Sequence, residues 1–528
     1  MGFSPDRPVG DLIMSHFGLP VAGQHYPLSI GKANDAEPSS TRKELTTMFT
    51  LKINPILASD SYKLSHAFSY AKNVIGMFSY IEPRTRGLHI IIPFGLHMWM
   101  KKFLTIQITM EMVDEAEAFA AAHGEPFKRE GWEKVVNVYD GYLPVTIRAV
   151  PEGTPVRSGN ALVTIECTDP DLFWLSSYLE TALQRGVWYP TTIASMDYDI
   201  KREIKRFYEI SGADMGLLPF ALHDFGGRGV SCAEQAEIGG AAHLVNFMGS
   251  DTMEGIRAAN FYYKHPMAAF SVPATEHSVE CSFGGTDENE IEYLRHVLKN
   301  LAKPGGIVSI VIDGYDVYRA ATTLCTTLRD EIVACGAKVV FRPDSGDMME
   351  VVPRLLRLQE RAFGSVTNAK GYRKINTVGI IQGDGVDHMA IKTLLGNILA
   401  MGFSADNVIF GSGGALLQKV NRDTFKFAQK ASAILVTKSV PAFDGEQHYS
   451  IETDEWVGIS KDPITDPGKA SKKGRLTLAR SLVTGELMTV CIDNGLDVEF
   501  EDVMQTVYHN GQILVETTLA EVRARCAI

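Results

Sequence analysis

Ile307-Val308-Ser309-Ile310-Val311-Ile312 runs directly into Asp313-Gly314-Tyr315-Asp316. A continuous apolar run is what a strand looks like when both of its faces are buried in a parallel sheet. The same arrangement recurs along the middle of the chain. Phe220-Ala221-Leu222 leads into His223-Asp224-Phe225-Gly226-Gly227-Arg228, and Ala269-Phe270-Ser271-Val272 into Pro273-Ala274-Thr275-Glu276-His277. Val339-Val340-Phe341 leads into Arg342-Pro343-Asp344-Ser345-Gly346-Asp347, and Val378–Ile381 into Gln382-Gly383-Asp384-Gly385. Val408-Ile409-Phe410 ends in Gly411-Ser412-Gly413-Gly414. Successive clusters lie roughly thirty to fifty residues apart, room for a strand, a loop and a helix. Glycines and charged side chains gathered at strand C-termini mark the active face of an irregular α/β barrel. A doubly wound sheet places some loops similarly, and the barrel is the favoured reading.

The flanks carry a different pattern. Leu143–Ile147 and Ala161–Ile165 alternate around the turn-rich Pro151-Glu152-Gly153, and Ala433–Thr437 and Leu487–Ile492 read as further strands. The expected organisation is a barrel over 191–430 and a second, mixed α+β domain built from both chain ends, 48–190 with 431–528. Residues 1–47 lack either periodicity and carry Pro5, Pro8, Pro20, Pro27 and Pro38, which reads as a weakly ordered extension.

The chain has 528 residues, 45% of them hydrophobic and 22% charged, which is ordinary globular composition and excludes collagen, coiled coil and bulk disorder. No apolar run approaches the ~18 residues of a membrane helix. A net charge of −12 argues against general nucleic-acid binding while leaving room for a local anion pocket. Seven cysteines, odd in number and without CxxC spacing, argue against a disulfide scaffold or a zinc site. A reducing cytoplasm is the simple reading.

Asp313, Asp344 and Asp384 stand at three equivalent strand ends, where carboxylates bind ribose hydroxyls or Mg²⁺, or cap loops. Arg228 and Arg342 stand on the same rim and offer forked contacts to an anion or an amide, or structural salt bridges. Gly411-Ser412-Gly413-Gly414 is either a phosphate cradle or a tight turn; it matches neither the P-loop nor the dinucleotide fingerprint. Lys461 through Lys469, Lys472, Lys473 and Arg475 form a basic run, solvated or facing pyrophosphate. His277 has a strand-end position in its favour as a reactive group.

Taken in order, Ala58-Ser59-Asp60-Ser61-Tyr62-Lys63, His223-Asp224-Phe225-Gly226, Gly249-Ser250-Asp251-Thr252, Ser271-Val272-Pro273-Ala274, Arg342-Pro343-Asp344-Ser345-Gly346, Gln382-Gly383-Asp384-Gly385, Phe410–Gln418 and Asp462–Arg475 carry a resemblance over about 52–525. The series resembles the nicotinamide phosphoribosyltransferase family of type II phosphoribosyltransferases. That resemblance implies a head-to-tail homodimer that joins nicotinamide to phosphoribosyl pyrophosphate with Mg²⁺, and ATP hydrolysis coupled through phosphorylated His277. It implies Phe225 and the other subunit's Tyr62 on the two faces of the pyridine, with Asp251 accepting the carboxamide N–H and Ser271 at the base. Arg342 and Arg228 would orient base and phosphate. Asp313 and Asp344 would serve catalysis and metal, with Asp384, Ser309 and Gly383 at ribose and phosphate and Gly413 and Gly414 on the 5′-phosphate. Arg84, Arg422, Lys430, Lys461 and Lys469 would reach pyrophosphate from the other subunit. Gly227 departs from the pattern, since the family often carries an aromatic residue there.

Two other readings share the scaffold. A nicotinate or quinolinate phosphoribosyltransferase would want a cation where Asp251 stands. A noncatalytic binding or signalling dimer would not need every phosphate and ring contact.

Overall fold

Four of the apolar runs become consecutive parallel strands in the computed structural model, which describes residues 51–528 apart from Arg86, Leu88, Gly445 and Glu446. The segment 1–47 lies outside the described residues. Five strands of the six-stranded central sheet are β1 (Leu222–Asp224), β2 (Ile307–Val311), β3 (Lys338–Arg342), β4 (Val378–Gln382) and β5 (Val408–Ser412). They lie side by side in the order β1-β5-β4-β3-β2, every neighbouring pair parallel. Ile310 and Val311 point to opposite faces and both are fully buried, which is why no polar alternation shows in the sequence. Helices Asp287–Leu301, Val317–Cys325, Met348–Phe363 and His388–Ala400 fill the connections. The result is a half-barrel with its loop clusters at the strand C-termini.

Two runs depart from expectation. Phe220 closes a 3₁₀ helix, Met215–Phe220, and the strand is Leu222–Asp224, taking in His223 and Asp224. The Asp214 side chain accepts the Gly216 N–H and starts that turn, and Pro219 has no N–H to offer a ladder. Ala269–Val272 forms no regular strand. The chain meets β2 just beyond it: Ser309 N–H donates to Pro273 O, and Thr275 N–H donates to Ser309 O.

The chain divides into two compact units, one holding 203–225 and 270–413, the other 53–202, 226–269 and 414–528. The second unit contains a seven-stranded sheet in the spatial order Gln447–Gly458, Phe427–Asp444, Val74–Pro83, Val163–Cys167, Val145–Ala149, Gln505–His509, Gln512–Ile513. Strands from both ends of the chain are therefore neighbours. The two alternating runs read from the sequence pair antiparallel, Ile147 opposite Ile165. Leu487–Cys491 joins Leu476–Ser481 and Phe500–Asp502 in a smaller sheet. Among the described residues no helix is long and apolar enough to cross a membrane.

A closed hydrogen-bond circuit anchors the segment that leads to His277. Thr275 Oγ1 accepts the Val311 N–H at 3.0 Å and lies 2.7 Å from Tyr293 Oη, which in turn donates to Val311 O at 3.0 Å. All three residues are buried. Thr275→Val keeps the shape and strands a backbone N–H. It should cost about 1–3 kcal/mol in a urea titration; a change within experimental error would show that the circuit is dispensable.

Candidate active site

Asp313 stands two residues beyond β2, and three groups converge on its carboxylate. Oδ1 lies 3.0 Å from His277 Nε2. Oδ2 accepts the Asp344 N–H at 2.9 Å and the Ser345 hydroxyl at 2.5 Å. The Asp313 side chain is 2% exposed and that of His277 is 44% exposed. An ionised carboxylate only accepts, so in the neutral imidazole Nε2 carries the hydrogen and Nδ1 carries the lone pair. His277 opens the short helix α1 (His277–Cys281). Its sequence neighbour Glu276 accepts from the Ser278 hydroxyl, so the imidazole's carboxylate comes from another strand end.

Loop capping falls to other aspartates. Asp316 accepts the N–H groups of Tyr318 and Arg319, Asp347 that of Met349, and Asp387 that of Ala390. Helix starts are thus satisfied by the second carboxylate of each cluster, which releases Asp313, Asp344 and Asp384 from that duty. The nearest cation to the Asp344 carboxylate is Arg342, Nη2 to Oδ2 at 3.9 Å. Arg342 Nε is buried without an acceptor among the described residues. A hydrogen-bond donor left unpaired inside a protein is costly, and a ligand oxygen would satisfy it.

Phe225 sits directly after β1 and its N–H donates to Ser412 O at 2.9 Å. Its ring lies against the β5 backbone: a Cβ added at Gly411 would fall 2.0 Å from Phe225 Cε2. A Cβ at Gly383 would fall 2.8 Å from Asp344 Oδ1 and 3.9 Å from the same ring carbon. Phe225, Gly383, Gly411, Asp344 and Arg342 are therefore gathered at one place on the rim. Gly413 follows β5 with Phe225 O 3.8 Å from where its Cβ would be. Asp384 is exposed on the loop after β4 and Ser271 is exposed in the irregular segment 269–272, whereas Ser309 is buried within β2.

The remaining predicted residues belong to the second unit. Arg228 is exposed in the single turn Gly227–Gly229, and a side chain at Gly227 would meet Thr252 Oγ1 at 3.0 Å. Asp251 is exposed immediately after the strand Gly249–Ser250. Gly414 begins the short helix Gly414–Leu417, and a Cβ added there would meet nothing within 4 Å. Burial holds the Lys430 ammonium below the ordinary lysine range, reinforced by Arg84, Lys63 and Lys461 and opposed by Glu180. Arg84, Lys430 and Lys461 thus share one positive region. Arg84 Nε contacts Glu82 at 2.9 Å, while its Nη2 is buried without a partner among the described residues. Arg422 and Lys469 are exposed and, among the described residues, their ion pairs are with the local Asp423 and Asp466. The rest of the basic run is structural in part: Lys472 is bound to Glu82 and Arg475 to Asp493. Tyr62 is 54% exposed, edge-on to His66.

Comparison with known proteins gives this geometry a family. Residues 220–512 match the model of the nicotinate phosphoribosyltransferase (NAPRTase) family, and 54–147 match the nicotinamide phosphoribosyltransferase N-terminal domain. The chain belongs to the nicotinate phosphoribosyltransferase family. It is a pentosyltransferase. The nicotinamide phosphoribosyltransferase of Xanthomonas campestris is 46% identical over 475 residues, covering 89% of this chain and 97% of that protein. That of Acinetobacter baylyi is 32% identical over 521 residues, 90% and 98% of the two chains. The fold is also that of the nicotinate-nucleotide pyrophosphorylase of Pyrococcus furiosus, at TM-score 0.54 and 16% identity over 90% of this chain and 96% of that one.

Family motifs led to the rim but not to what supports it. Glu280 is buried on α1, and burial pushes its carboxyl up to about 7. His243, fully buried, has Nδ1 2.7 Å from Asp197 Oδ2 and Nε2 3.0 Å from Gly249 O, two residues before Asp251. Neither stands in a motif, and a helical carboxylate or histidine gives no periodic signal. For a divalent cation the donor set is small. No group of three or more His, Cys, Asp or Glu among the described residues could hold one. The Asp344 carboxylate, with only the distant Arg342 contact at 3.9 Å among the described residues, fits Mg²⁺, which takes one or two carboxylates with substrate phosphates. Asp313 already accepts three hydrogen bonds.

The contact at Gly411 is the most exacting packing constraint on the rim. Gly411→Ala must drive the Phe225 ring from its place. The expected cost is about 1–3 kcal/mol in thermal unfolding, with the ring in a different rotamer in a crystal structure of the variant. An unmoved ring would contradict the contact.

Proposed function

We propose that the chain is a nicotinamide phosphoribosyltransferase of NAD salvage, joining nicotinamide to phosphoribosyl pyrophosphate to give nicotinamide mononucleotide and pyrophosphate. The observation that carries this reading is the Phe225 ring lying over Gly411 beside Asp344 and the unpaired Arg342 Nε. A flat aromatic base stacks on such a ring, and a buried guanidinium donor takes an oxygen of base or phosphate. The identity of the curated relatives supports nicotinamide as the base.

In this reading Phe225 covers one face of the pyridine and Tyr62 of the partner subunit the other. Asp251 accepts the carboxamide N–H, Ser271 lies at the base, and Arg228 orients the phosphate. Asp384, Ser309 and Gly383 serve the ribose, and Gly413 and Gly414 the 5′-phosphate. Arg84, Lys430, Lys461, Arg422 and Lys469 serve pyrophosphate in a site shared across a homodimer. As the C1–O bond to pyrophosphate breaks, positive charge grows on the ribose and is stabilised by Asp313 and Asp344, while the pyridine nitrogen forms the new C1–N bond. Asp344, with Asp313 beside it, would hold Mg²⁺, which offsets charge on the departing pyrophosphate. Nicotinamide is a neutral nucleophile, so orientation matters more than a general base.

His277 is the coupling residue. Its Nδ1 attacks the terminal phosphorus of ATP, the P–O bond to ADP breaks, and water later cleaves the N–P bond. Asp313 supports this by holding the Nε2–H and stabilising the positive ring as the bond forms.

Two measurements test the proposal. With each pyridine supplied separately, kcat/KM for nicotinamide should exceed that for nicotinate by more than about 100-fold, because an ionised Asp251 repels a carboxylate. Asp251→Asn should narrow that ratio, and preferential turnover of nicotinate by the unmodified protein would refute the assignment. His277→Ala should abolish an acid-labile phosphoenzyme and ATP stimulation while ATP-independent synthesis survives. Full stimulation in that variant would place the phosphoryl group elsewhere.

A further inference from the structure

Glu280 lies on α1 three residues beyond His277 and is 1% exposed. Its Oε2 accepts the Gly314 N–H at 2.9 Å. Oε1 is buried without a hydrogen-bond partner among the described residues. Gly314 is shaped to receive it, since a Cβ there would fall 2.5 Å from Oε2 and 2.6 Å from Cδ. Those separations are too short for any side chain, so the carboxyl group lies flat on the Gly314 backbone. Gly314 directly follows Asp313. The short helix α1 therefore meets the end of β2 at two points, His277 on the Asp313 side chain and Glu280 on the Gly314 backbone.

For the fold alone this carboxyl is a poor choice. It is buried near Asp313 and Glu290, and one of its oxygens is unsatisfied. An amide would accept the same N–H without bringing a third acid into that neighbourhood. Glu290 itself is bound by Arg319, at 3.1 Å from Nε, so it brings no cation to Glu280. The one-turn helix is already anchored on its N-terminal side by the Thr275 circuit, and Glu280 adds an attachment directly beside Asp313.

We infer that Glu280 is a positioning residue for His277: by holding Gly314 it fixes the angle and separation at which Asp313 meets the imidazole, and thereby the efficiency of ATP coupling. The inference rests on the proposed phosphorylation of His277. Glu280 bonds the Gly314 backbone and leaves the Asp313 carboxylate held by the Asp344 N–H and the Ser345 hydroxyl, so the transfer to nicotinamide is expected to lose little without it.

The test compares Glu280→Gln, Glu280→Leu and Gly314→Ala with His277→Ala in the same assay, each as the full-length protein. Glu280→Leu removes the acceptor and should lower phosphoenzyme formation and ATP stimulation roughly 10- to 100-fold, with ATP-independent kcat and both KM values within about twofold. Glu280→Gln retains an acceptor oxygen and should recover most of the stimulation, unfolding at the same temperature as the unmodified protein or higher. Gly314→Ala pushes the carboxyl away from the other side and should reproduce the loss of stimulation even if Glu280→Leu folds poorly. Undiminished stimulation in Glu280→Leu or Gly314→Ala, while His277→Ala has lost it, overturns the inference. Equal loss of ATP-independent synthesis in Glu280→Leu, or failure of Glu280→Gln to recover, also overturns it by showing a general structural role. Full stimulation in His277→Ala overturns the reading of His277 itself and the inference with it, an outcome distinct from the others.

Discussion

One carboxylate organises the rim of the half-barrel. Asp313 accepts from His277, from the Asp344 backbone and from the Ser345 hydroxyl, and so links the end of β2, the loop after β3 and helix α1. At 2% exposure its charge is barely screened by solvent, and each of the three contacts is strengthened accordingly. A single geometry satisfies all three donors. The orientation of His277, the course of the Asp344 loop and the place of α1 are settled together. Asp316 and Asp347 make this possible by capping the helices that follow.

The neighbouring part of the rim depends on the absence of side chains. Gly411 and Gly383 let the Phe225 ring and the Asp344 carboxylate lie directly on backbone. The Gly-rich stretch that ends β5 and follows it thus has two uses. Gly411 makes room for an aromatic ring, whereas a Cβ at Gly414 would meet nothing within 4 Å, leaving space for a ligand. Neither glycine is required by backbone conformation, because neither has a positive φ. In the second unit burial holds the Lys430 ammonium below the ordinary lysine range, opposed by Glu180, with Arg84, Lys63 and Lys461 adding repulsion that an anion would relieve.

Much of this was legible in the sequence. Unbroken apolar runs identified β2, β3, β4 and β5 because burial on both faces removes polar alternation. The runs Leu143–Ile147 and Ala161–Ile165 overlap two strands, Val145–Ala149 and Val163–Cys167, that pair antiparallel, and burial alternates along the first of them. Phe220–Leu222 and Ala269–Val272 misled because composition does not report backbone pairing: Pro219 lies in the 3₁₀ turn before β1, and the later segment pairs with β2 only at Pro273–Thr275. The resemblance named most of the rim residues. It did not show that Gly411 exists for Phe225, a contact between positions far apart in sequence. Nor did it reveal Glu280, whose importance lies in a hydrogen bond to backbone. Lys472 and Arg475 read as part of one basic run, yet they are tied to Glu82 and Asp493, since charge runs do not disclose their partners.

Asp313 holds the Nε2–H of His277, which in the proposed coupling leaves Nδ1 as the nucleophile. ¹⁵N NMR of the His277 ring reads this directly, at a pH well above the ordinary imidazole range of about 6.5. A protonated Nε2 and a lone-pair Nδ1 are expected, with the preference lost in Asp313→Ala. A protonated Nδ1 in the unmodified protein would contradict it.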